Sequence, residues 1–186
     1  MRIISGILKG KSINYVKNLT TRPLKDSVKE NIFNILKHSN LINVKIENSN
    51  IFDLYSGVGS FGLESISRGA KKVTFVEENK NAANILEKNL IELSILNKAT
   101  IINDKVENII GKNKKEKFNI FFLDPPFLNK EFIQVLGLIK KDKVYRTKHI
   151  VIIHREKKTK DYLDELISIV LIKKYGRSKI IFGIFK

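Results

Sequence analysis

The chain alternates short apolar runs with stretches in which apolar residues recur every three or four positions. Continuous apolar runs predict buried strands, and the longer spacing predicts amphipathic helices. The predicted strands are 50–55, 72–77, 99–103, 118–123, 148–154, 168–174 and 179–186. The predicted helices are 26–38, 60–68, 80–93, 106–111, 129–140 and 159–167. Strand–helix alternation predicts an α/β fold with a mostly parallel sheet, and the short turn at 175–178 requires an antiparallel last pair.

The first residues predict a β-hairpin at 2–16, with its turn at 9–11. Arg2, Lys9 and Lys11 give this hairpin a basic rim that could follow a phosphate backbone, although a solvated edge would look the same. Neither a linker nor a repeat divides the sequence. We therefore expect a single domain over 1–186, with 1–17 as a basic amino-terminal extension.

A glycine-rich loop follows the first predicted strand of the sheet. It has the pattern G-x-G-x-x-G and opens a predicted helix, so its backbone can approach a nucleoside closely. Glu77 lies 20 residues beyond Gly57, at the end of the next strand, where a carboxylate can accept hydrogen bonds from ribose hydroxyls. Together these features predict a cofactor that contains adenosine.

Two cofactors fit this loop. A dehydrogenase would use the glycines to bind the pyrophosphate of a dinucleotide, but 186 residues leave little room for a substrate domain, and nothing resembles a hydride-transfer site. An S-adenosylmethionine-dependent methyltransferase needs only one domain and commonly has an acid at a position like that of Asp53. The second class is the better fit.

The tetrapeptide Asp124-Pro125-Pro126-Phe127 follows the apolar run 120–123, which ends the predicted strand 118–123. The prolines end the strand because they lack the N–H that a sheet needs. The Asp carboxylate and a Pro carbonyl are hydrogen-bond acceptors, and the Phe ring can stack. This combination suits a flat ring that carries an amine, while a simple turn after a strand is the alternative.

Composition narrows the class of protein. No apolar stretch approaches the ~18 residues of a membrane span, no secretory signal is recognisable, and there is no cysteine. The three histidines lack the spacing of metal ligands, so no metal is expected. The net charge of +16 indicates a polyanionic partner such as nucleic acid, unless it reflects a general coding bias toward lysine.

The tetrapeptide resembles motif IV, (D/N)PP(Y/F), of methyltransferases that act on exocyclic amines of nucleobases. With four further segments, the chain resembles the small-subunit ribosomal RNA guanine-N2 methyltransferase family (type D) over nearly its whole length. These segments are Met1-Arg2-Ile3-Ile4-Ser5-Gly6, Thr21-Arg22-Pro23, residues 28–36 and residues 53–62. Two residues depart from the family pattern: Lys29 stands where Arg is frequent, and Lys105 where Asp is frequent.

The resemblance implies a Rossmann-like methyltransferase sheet of seven strands in the order 3-2-1-4-5-7-6. It implies S-adenosylmethionine as cofactor and methylation of a guanine N2 amine in small-subunit (16S) ribosomal RNA. The expected catalytic residues are Asp124, Pro125 and Phe127. The expected cofactor-binding residues are Asp53, Tyr55, Gly57, Gly59, Glu77 and, with a one-residue shift, Asp104. The expected RNA contacts are Arg2, Lys9, Lys11, Arg22 and Pro126.

The expected partner is small-subunit ribosomal RNA or an assembling small subunit. We expect no association with a membrane. We expect a monomer in the cytoplasm, or in the matrix or stroma of an organelle with its own ribosomes. A DNA amine methyltransferase and an inert RNA-binding assembly factor remain alternatives. His154 and Arg155, at the end of a predicted strand, are only weak candidates for RNA contacts.

Overall fold

A computed structural model describes residues 1–15, 24–109 and 116–186. Arg22 lies outside these ranges, so its expected RNA contact stays a prediction. The end of the helix predicted at 106–111 lies outside them as well.

Seven strands form one sheet in the order β3-β2-β1-β4-β5-β7-β6. The pairs among the first five strands are parallel, and β7 runs antiparallel to both β5 and β6. This confirms the predicted Rossmann-like fold class and the strand order that the family resemblance implies. The strands are β1 Asn50–Leu54, β2 Lys72–Val76, β3 Ala99–Ile102, β4 Phe118–Leu123, β5 Tyr145–Glu156, β6 Ile167–Tyr175 and β7 Ser178–Phe185.

Helices cover both faces of the sheet. Alternate residues of β4 belong to two separate apolar clusters: Ile120 and Phe122 to one, Phe121 and Leu123 to the other. A strand buried on both faces is why the run 120–123 is continuously apolar. The helices are α1 Asp26–His38, α2 Ser60–Ser67, α3 Lys80–Glu92, α4 Val106–Ile109 and α5 Phe132–Asp142. None of the helices in the described ranges is long and apolar enough to cross a membrane.

The prediction of a helix at 159–167 is wrong. Residues 159–166 form a loop with a single turn before β6. The hydroxyl of Thr159 donates to the carbonyl of Glu156 at 2.8 Å, and the buried carboxylate of Asp161 pairs with Arg155 at 3.2 Å and with Lys179 at 3.6 Å. These tertiary contacts outweigh a local apolar spacing that is typical of a helix.

The amino-terminal hairpin is shorter than predicted. Its antiparallel pairing is a single bridge between Arg2 and Ser12, and the turn lies at 5–10 rather than at 9–11. The turn is set by docking on α2: the amides of Ile4 and Ser5 donate to the carboxylate of Glu64 at 2.7 and 3.0 Å. The amino-terminal hairpin, called the arm below, is therefore held against the core and is not a free hairpin.

Gly6 marks the closest approach of this arm to α2. Its φ is +85°, and a Cβ atom there would lie 1.9 Å from the carbonyl oxygen of Ser67. Gly10 has a similar φ of +84°, but no atom of the described residues lies within 4 Å of its Cβ position. The two glycines thus share a backbone conformation and differ in packing.

We predict that Gly6→Ala destabilises the protein by more than Gly10→Ala. A left-handed alanine costs about 1 kcal/mol or more at either position. The clash with Ser67 adds roughly 1–3 kcal/mol at position 6 only. Urea unfolding of both variants measures the difference, and equal losses would mean that the arm does not dock as described.

Candidate active site

The glycine loop and the Asp-Pro-Pro-Phe tetrapeptide leave the sheet side by side. β1 and β4 are parallel neighbours, and Leu54 pairs with Leu123 at their carboxyl ends. The amide of Asp124 donates to the carbonyl of Leu54 at 3.4 Å. Carboxyl ends of adjacent strands form the usual ligand crevice of an open α/β sheet. The structure therefore brings the two predicted motifs to one crevice.

The backbone of the glycine loop turns sharply between β1 and α2. Tyr55, Gly57 and Gly59 all have positive φ, at 61°, 56° and 87°. The φ of 87° at Gly59 favours glycine, and a Cβ there would also displace the Cδ1 of Leu86 in α3, which would lie 2.4 Å away. At Gly57, no atom of the described residues lies within 4 Å of a Cβ position. The loop backbone there is open to a ligand.

Asp53 is a buried acid beneath this loop. Its side chain accepts a hydrogen bond from the amide of Gly62 at 2.9 Å, and the residue is only 1% exposed. Burial raises the pKa of Asp53 well above its ordinary value, the Gly62 hydrogen bond opposes this, and the charges of Asp124 and Glu77 add to the rise. The contact that the structure gives Asp53 is with α2, which makes it a positioning residue for the loop. Direct contact with the cofactor stays a prediction.

Glu77 lies against the first glycine of the loop, as its distance along the sequence predicts. Its Oε2 accepts from the amide of Gly57 at 2.7 Å, and its Oε1 accepts from the amide of Asn79 at 2.8 Å. Burial raises the pKa of this carboxyl, and the two amide donors oppose the rise. A carboxylate oxygen can accept more than one hydrogen bond, so both oxygens can also receive hydroxyl donors.

Tyr55 and Asp104 hold α4 beside this loop. The hydroxyl of Tyr55 donates to Glu107 at 3.0 Å, and burial raises the pKa of Tyr55. Asp104 Oδ1 accepts from the amide of Lys105 at 2.7 Å and from Asn108 at 2.8 Å. Nearby, the side-chain amide of Asn103 donates to the carbonyl of Glu77 at 2.8 Å. The three segments after β1, β2 and β3 are thus joined by hydrogen bonds.

The carboxylate of Asp124 pairs with a histidine on the neighbouring strand. Oδ1 of Asp124 lies 2.8 Å from Nδ1 of His154, whose ring also meets Phe127 edge-to-face at 5.6 Å. Nε2 of His154 is buried and has no hydrogen-bond partner in the described part of the chain. A carboxylate oxygen can only accept, so we assign the N–H of this contact to Nδ1 of His154. His154 then donates to Asp124.

Arg155 fixes the rest of the tetrapeptide. Its side chain is 1% exposed, and its two terminal nitrogens donate to the carbonyls of Pro126 at 3.1 Å and Phe127 at 2.9 Å. The same guanidinium pairs with Asp161 and lies 4.5 Å over the ring of Phe132. A fork of five N–H donors can serve several acceptors at once. Within the tetrapeptide, Pro125 is buried, Phe127 is half-buried and Pro126 is exposed.

Sequence reasoning underrated both His154 and Arg155. The signal that could have found them is register: Leu123 pairs with Ile153 in the parallel β4–β5 ladder, so the residues that follow each strand meet. This register can be used only when β4 and β5 are known to be neighbours. The order of strands in the sheet gives that information, and the local sequence pattern does not.

The expected RNA contacts of the arm lie at the protein surface. Arg2, Lys9 and Lys11 are all exposed. The amide of Asn14, farther along the arm, donates to the side chain of Asn89 at 2.8 Å, and Asn89 in turn donates to the carbonyl of Val58 in the loop at 3.3 Å. Among the described residues, no group of three or more His, Asp or Glu side chains could hold a metal ion.

Comparisons with known proteins agree on one family. The family model described as conserved hypothetical protein 95 matches residues 1–184. Ribosomal RNA small subunit methyltransferase D of Haemophilus influenzae is 33% identical over 159 residues, which cover 84% of this chain and 79% of the relative. The chain belongs to the ribosomal RNA small subunit methyltransferase D family.

Solved structures agree with the fold described above. The protein yhhF of Escherichia coli superposes with a TM-score of 0.84 at 23% identity, covering 98% of this chain and 96% of that one. A structure from Haemophilus influenzae gives a TM-score of 0.79 at 29% identity, with the same shares covered. The resemblance drawn from the sequence motifs is therefore confirmed, and so is the methyltransferase fold.

We predict that Asp53→Asn flattens the pH dependence of stability. Because the pKa of Asp53 is raised in the folded state, that state binds the proton more tightly than the unfolded chain. Wild type therefore gains stability as the pH falls from above the raised pKa toward 4, by at most ~1.4 kcal/mol per pH unit from this group. The variant lacks that gain.

Urea unfolding of both proteins between about pH 5 and pH 8 measures the effect. Glu77 contributes a gain of the same sign in both proteins, so only their difference reports on Asp53. Parallel curves would contradict the burial of an ionisable group at this position.

Proposed function

We propose that this protein transfers a methyl group from S-adenosylmethionine to the N2 amine of a guanine in small-subunit ribosomal RNA. Family membership supports methylation of ribosomal RNA with this cofactor. The finer assignment to an exocyclic amine rests on one observation, which is that the carboxylate of Asp124 stands at the strand end beside the glycine loop. The hydrogen bond from the main-chain amide of Asp124 to the carbonyl of Leu54 holds the backbone there.

The residues around Gly57 fit the cofactor. The backbone at Gly57 is open, and Glu77 is fixed against it with oxygens that can accept hydrogen bonds from the ribose hydroxyls. Asp104 and Asn103, after β3, stand on the side that we assign to the adenine. When bound, the cofactor supplies a methyl group on an already activated sulfonium, so positioning of the amine is the main task left to the protein.

Asp124 and Pro125 orient the amine. Oδ1 of Asp124 accepts from His154, and we assign Oδ2 to the amine together with the carbonyl of Pro125. Arg155 binds the carbonyls of Pro126 and Phe127, so these are engaged elsewhere. The carboxylate offsets the positive charge that grows on the nitrogen as it bonds to carbon. Phe127 offers a ring face on which the guanine stacks, after flipping if it is paired.

A direct test uses ribosomal RNA from cells that lack this protein. Purified enzyme with labelled S-adenosylmethionine should methylate small-subunit RNA, or the small subunit itself, at one guanine, with the label on N2. Duplex DNA is the control substrate. Transfer to an adenine in DNA would favour a DNA amine methyltransferase. Failure to bind S-adenosylmethionine would favour an inert assembly factor.

Substitution of Asp124 should separate chemistry from cofactor binding. We expect Asp124→Ala to lower kcat by about 10²–10³-fold, because the growing charge and the amine orientation lose their partner. The dissociation constant of S-adenosylmethionine should stay near the wild-type value. Glu77→Gln provides the opposite case, with weaker cofactor binding. An equal loss of cofactor affinity in Asp124→Ala would contradict the assigned role.

Substitution of His154 should test whether it acts through Asp124. Asn can place a side-chain N–H near the position of Nδ1 and donate to Asp124, whereas Leu has a similar shape and no donor. We expect His154→Asn to keep most of kcat and His154→Leu to lower it by roughly tenfold, the scale of about one hydrogen bond to a charged group. Cofactor affinity should not change in either variant. Equal kcat values would remove His154 from the mechanism.

A further inference from the structure

The loop after β5 presents a basic and aromatic surface beside the tetrapeptide. Lys157, Lys158, Lys160 and Tyr162 are exposed, with Tyr162 at 84%. Because β5 is the parallel neighbour of β4, this loop leaves the sheet at the same edge as Asp124. We refer to residues 157–162 as the basic loop.

The basic loop is anchored by its buried residues, although its lysines point outward. The side chain of Asp161 is only 2% exposed and pairs with Arg155 and Lys179. The hydroxyl of Thr159 lies 2.8 Å from the carbonyl of Glu156 and 3.0 Å from Asp161. The amide of Lys157 donates to the carbonyl of Arg177, in the turn between β6 and β7, at 2.7 Å. Exposed side chains on a fixed backbone are typical of a binding surface.

One side chain connects this loop to the tetrapeptide. The guanidinium of Arg155 pairs with Asp161 on one side and donates to the carbonyls of Pro126 and Phe127 on the other. The basic loop therefore has a set position relative to Asp124. Whatever binds there lies at a constant offset from the amine that Asp124 is proposed to orient.

Three ammonium groups and an exposed aromatic ring are complementary to a single-stranded nucleic acid. Lysines neutralise phosphates and release counterions, and an aromatic side chain stacks on an unpaired base of any sequence. The exposed acids Asp164 and Glu165 follow on the side of β6 and disfavour a phosphate track there. The favourable side is the one toward the tetrapeptide.

We propose that the basic loop binds the RNA strand next to the target guanine, with its lysines on phosphates and Tyr162 stacked on a neighbouring base. The proposal rests on the proposed function and names part of its substrate surface. The proposal also fits the loop conformation of residues 159–166. A helix there would break the contacts of Thr159 and Asp161 that hold the basic loop in place.

A charge-matched pair of triple variants tests the lysines. Lys157→Gln/Lys158→Gln/Lys160→Gln removes the charges of the basic loop. Lys45→Gln/Lys71→Gln/Lys148→Gln removes the same number of exposed charges at the opposite, amino-terminal edge of the sheet. Binding to a small-subunit ribosomal RNA transcript is measured at several salt concentrations. The loop variant should bind about tenfold more weakly, and its salt slope should be smaller by roughly two, while the control stays near wild type.

Tyr162 is tested by Tyr162→Ala and Tyr162→Phe. Loss of the ring should weaken RNA binding by about tenfold, whereas phenylalanine, which keeps the stacking face, should bind almost as wild type does. In methylation assays, the loop variants should raise KM for RNA and leave the dissociation constant of S-adenosylmethionine unchanged.

The outcomes separate this inference from the proposed function. If wild type methylates the RNA and the two triple variants bind it equally well, the basic loop is not the contact and the proposed function stands. If wild type methylates no ribosomal RNA but the loop variant alone loses binding, the proposed function falls and the surface stands. If wild type does not bind RNA, both are overturned.

Discussion

The parallel pairing of β1 with β4 is the constraint on which the candidate site depends. It places the ends of two strands side by side, so the backbone turns that follow must share one crevice. Both strands are apolar on both faces, which excludes polar chemistry from the sheet itself. Asp53 is the buried polar residue within β1, and its carboxylate accepts a hydrogen bond from the amide of Gly62 in α2. Functional side chains therefore collect where the strands end.

The sign of the charge inside this crevice differs from that of the chain as a whole. The sequence has a net charge of +16, yet Asp53, Glu77 and Asp124 meet at the ends of three adjacent strands. Burial raises the pKa values of Asp53 and Glu77, and the charges of Asp124 and Glu77 add to the rise at Asp53, which is a cost to the folded state. A cofactor that carries a sulfonium cation would relieve part of that cost. A basic exterior with an acidic crevice thus suits a polyanionic substrate together with a cationic cofactor.

Local patterns predicted most of the fold because most of its elements are locally determined. The strand at 118–123 and the helix at 26–38 both have the predicted bounds. Glu77 reaches Gly57 because the 20 residues that follow Gly57 form one helix and the next parallel strand, which returns the chain to the same edge of the sheet. Side chains within such units are predictable from spacing alone.

The missed features all depend on contacts between distant parts of the sequence. His154 lies 30 residues from Asp124, and their meeting follows only from strand order. The turn of the arm is set by the contact of Gly6 with Ser67, about which the first 16 residues carry no information. The apolar spacing at 159–167 is real, since Leu163 and Ile167 are both buried, but the ion pairs of Asp161 decide the backbone there. Local sequence patterns do not predict the backbone conformation at buried charges, because such charges need partners from distant parts of the sequence.

Arg155 illustrates why such a charge is retained. A buried guanidinium is costly unless its donors are satisfied, and here they reach two carbonyls and a carboxylate, while Phe132 covers its face. A lysine carries its three N–H donors on a single nitrogen, so it could not reach acceptors that are spread around the several nitrogens of a planar guanidinium. The planar fork therefore gives the tetrapeptide and the basic loop one common frame. Because both carbonyls belong to residues two and three positions after Asp124, the frame that holds the basic loop also limits how far the proposed amine acceptor can move.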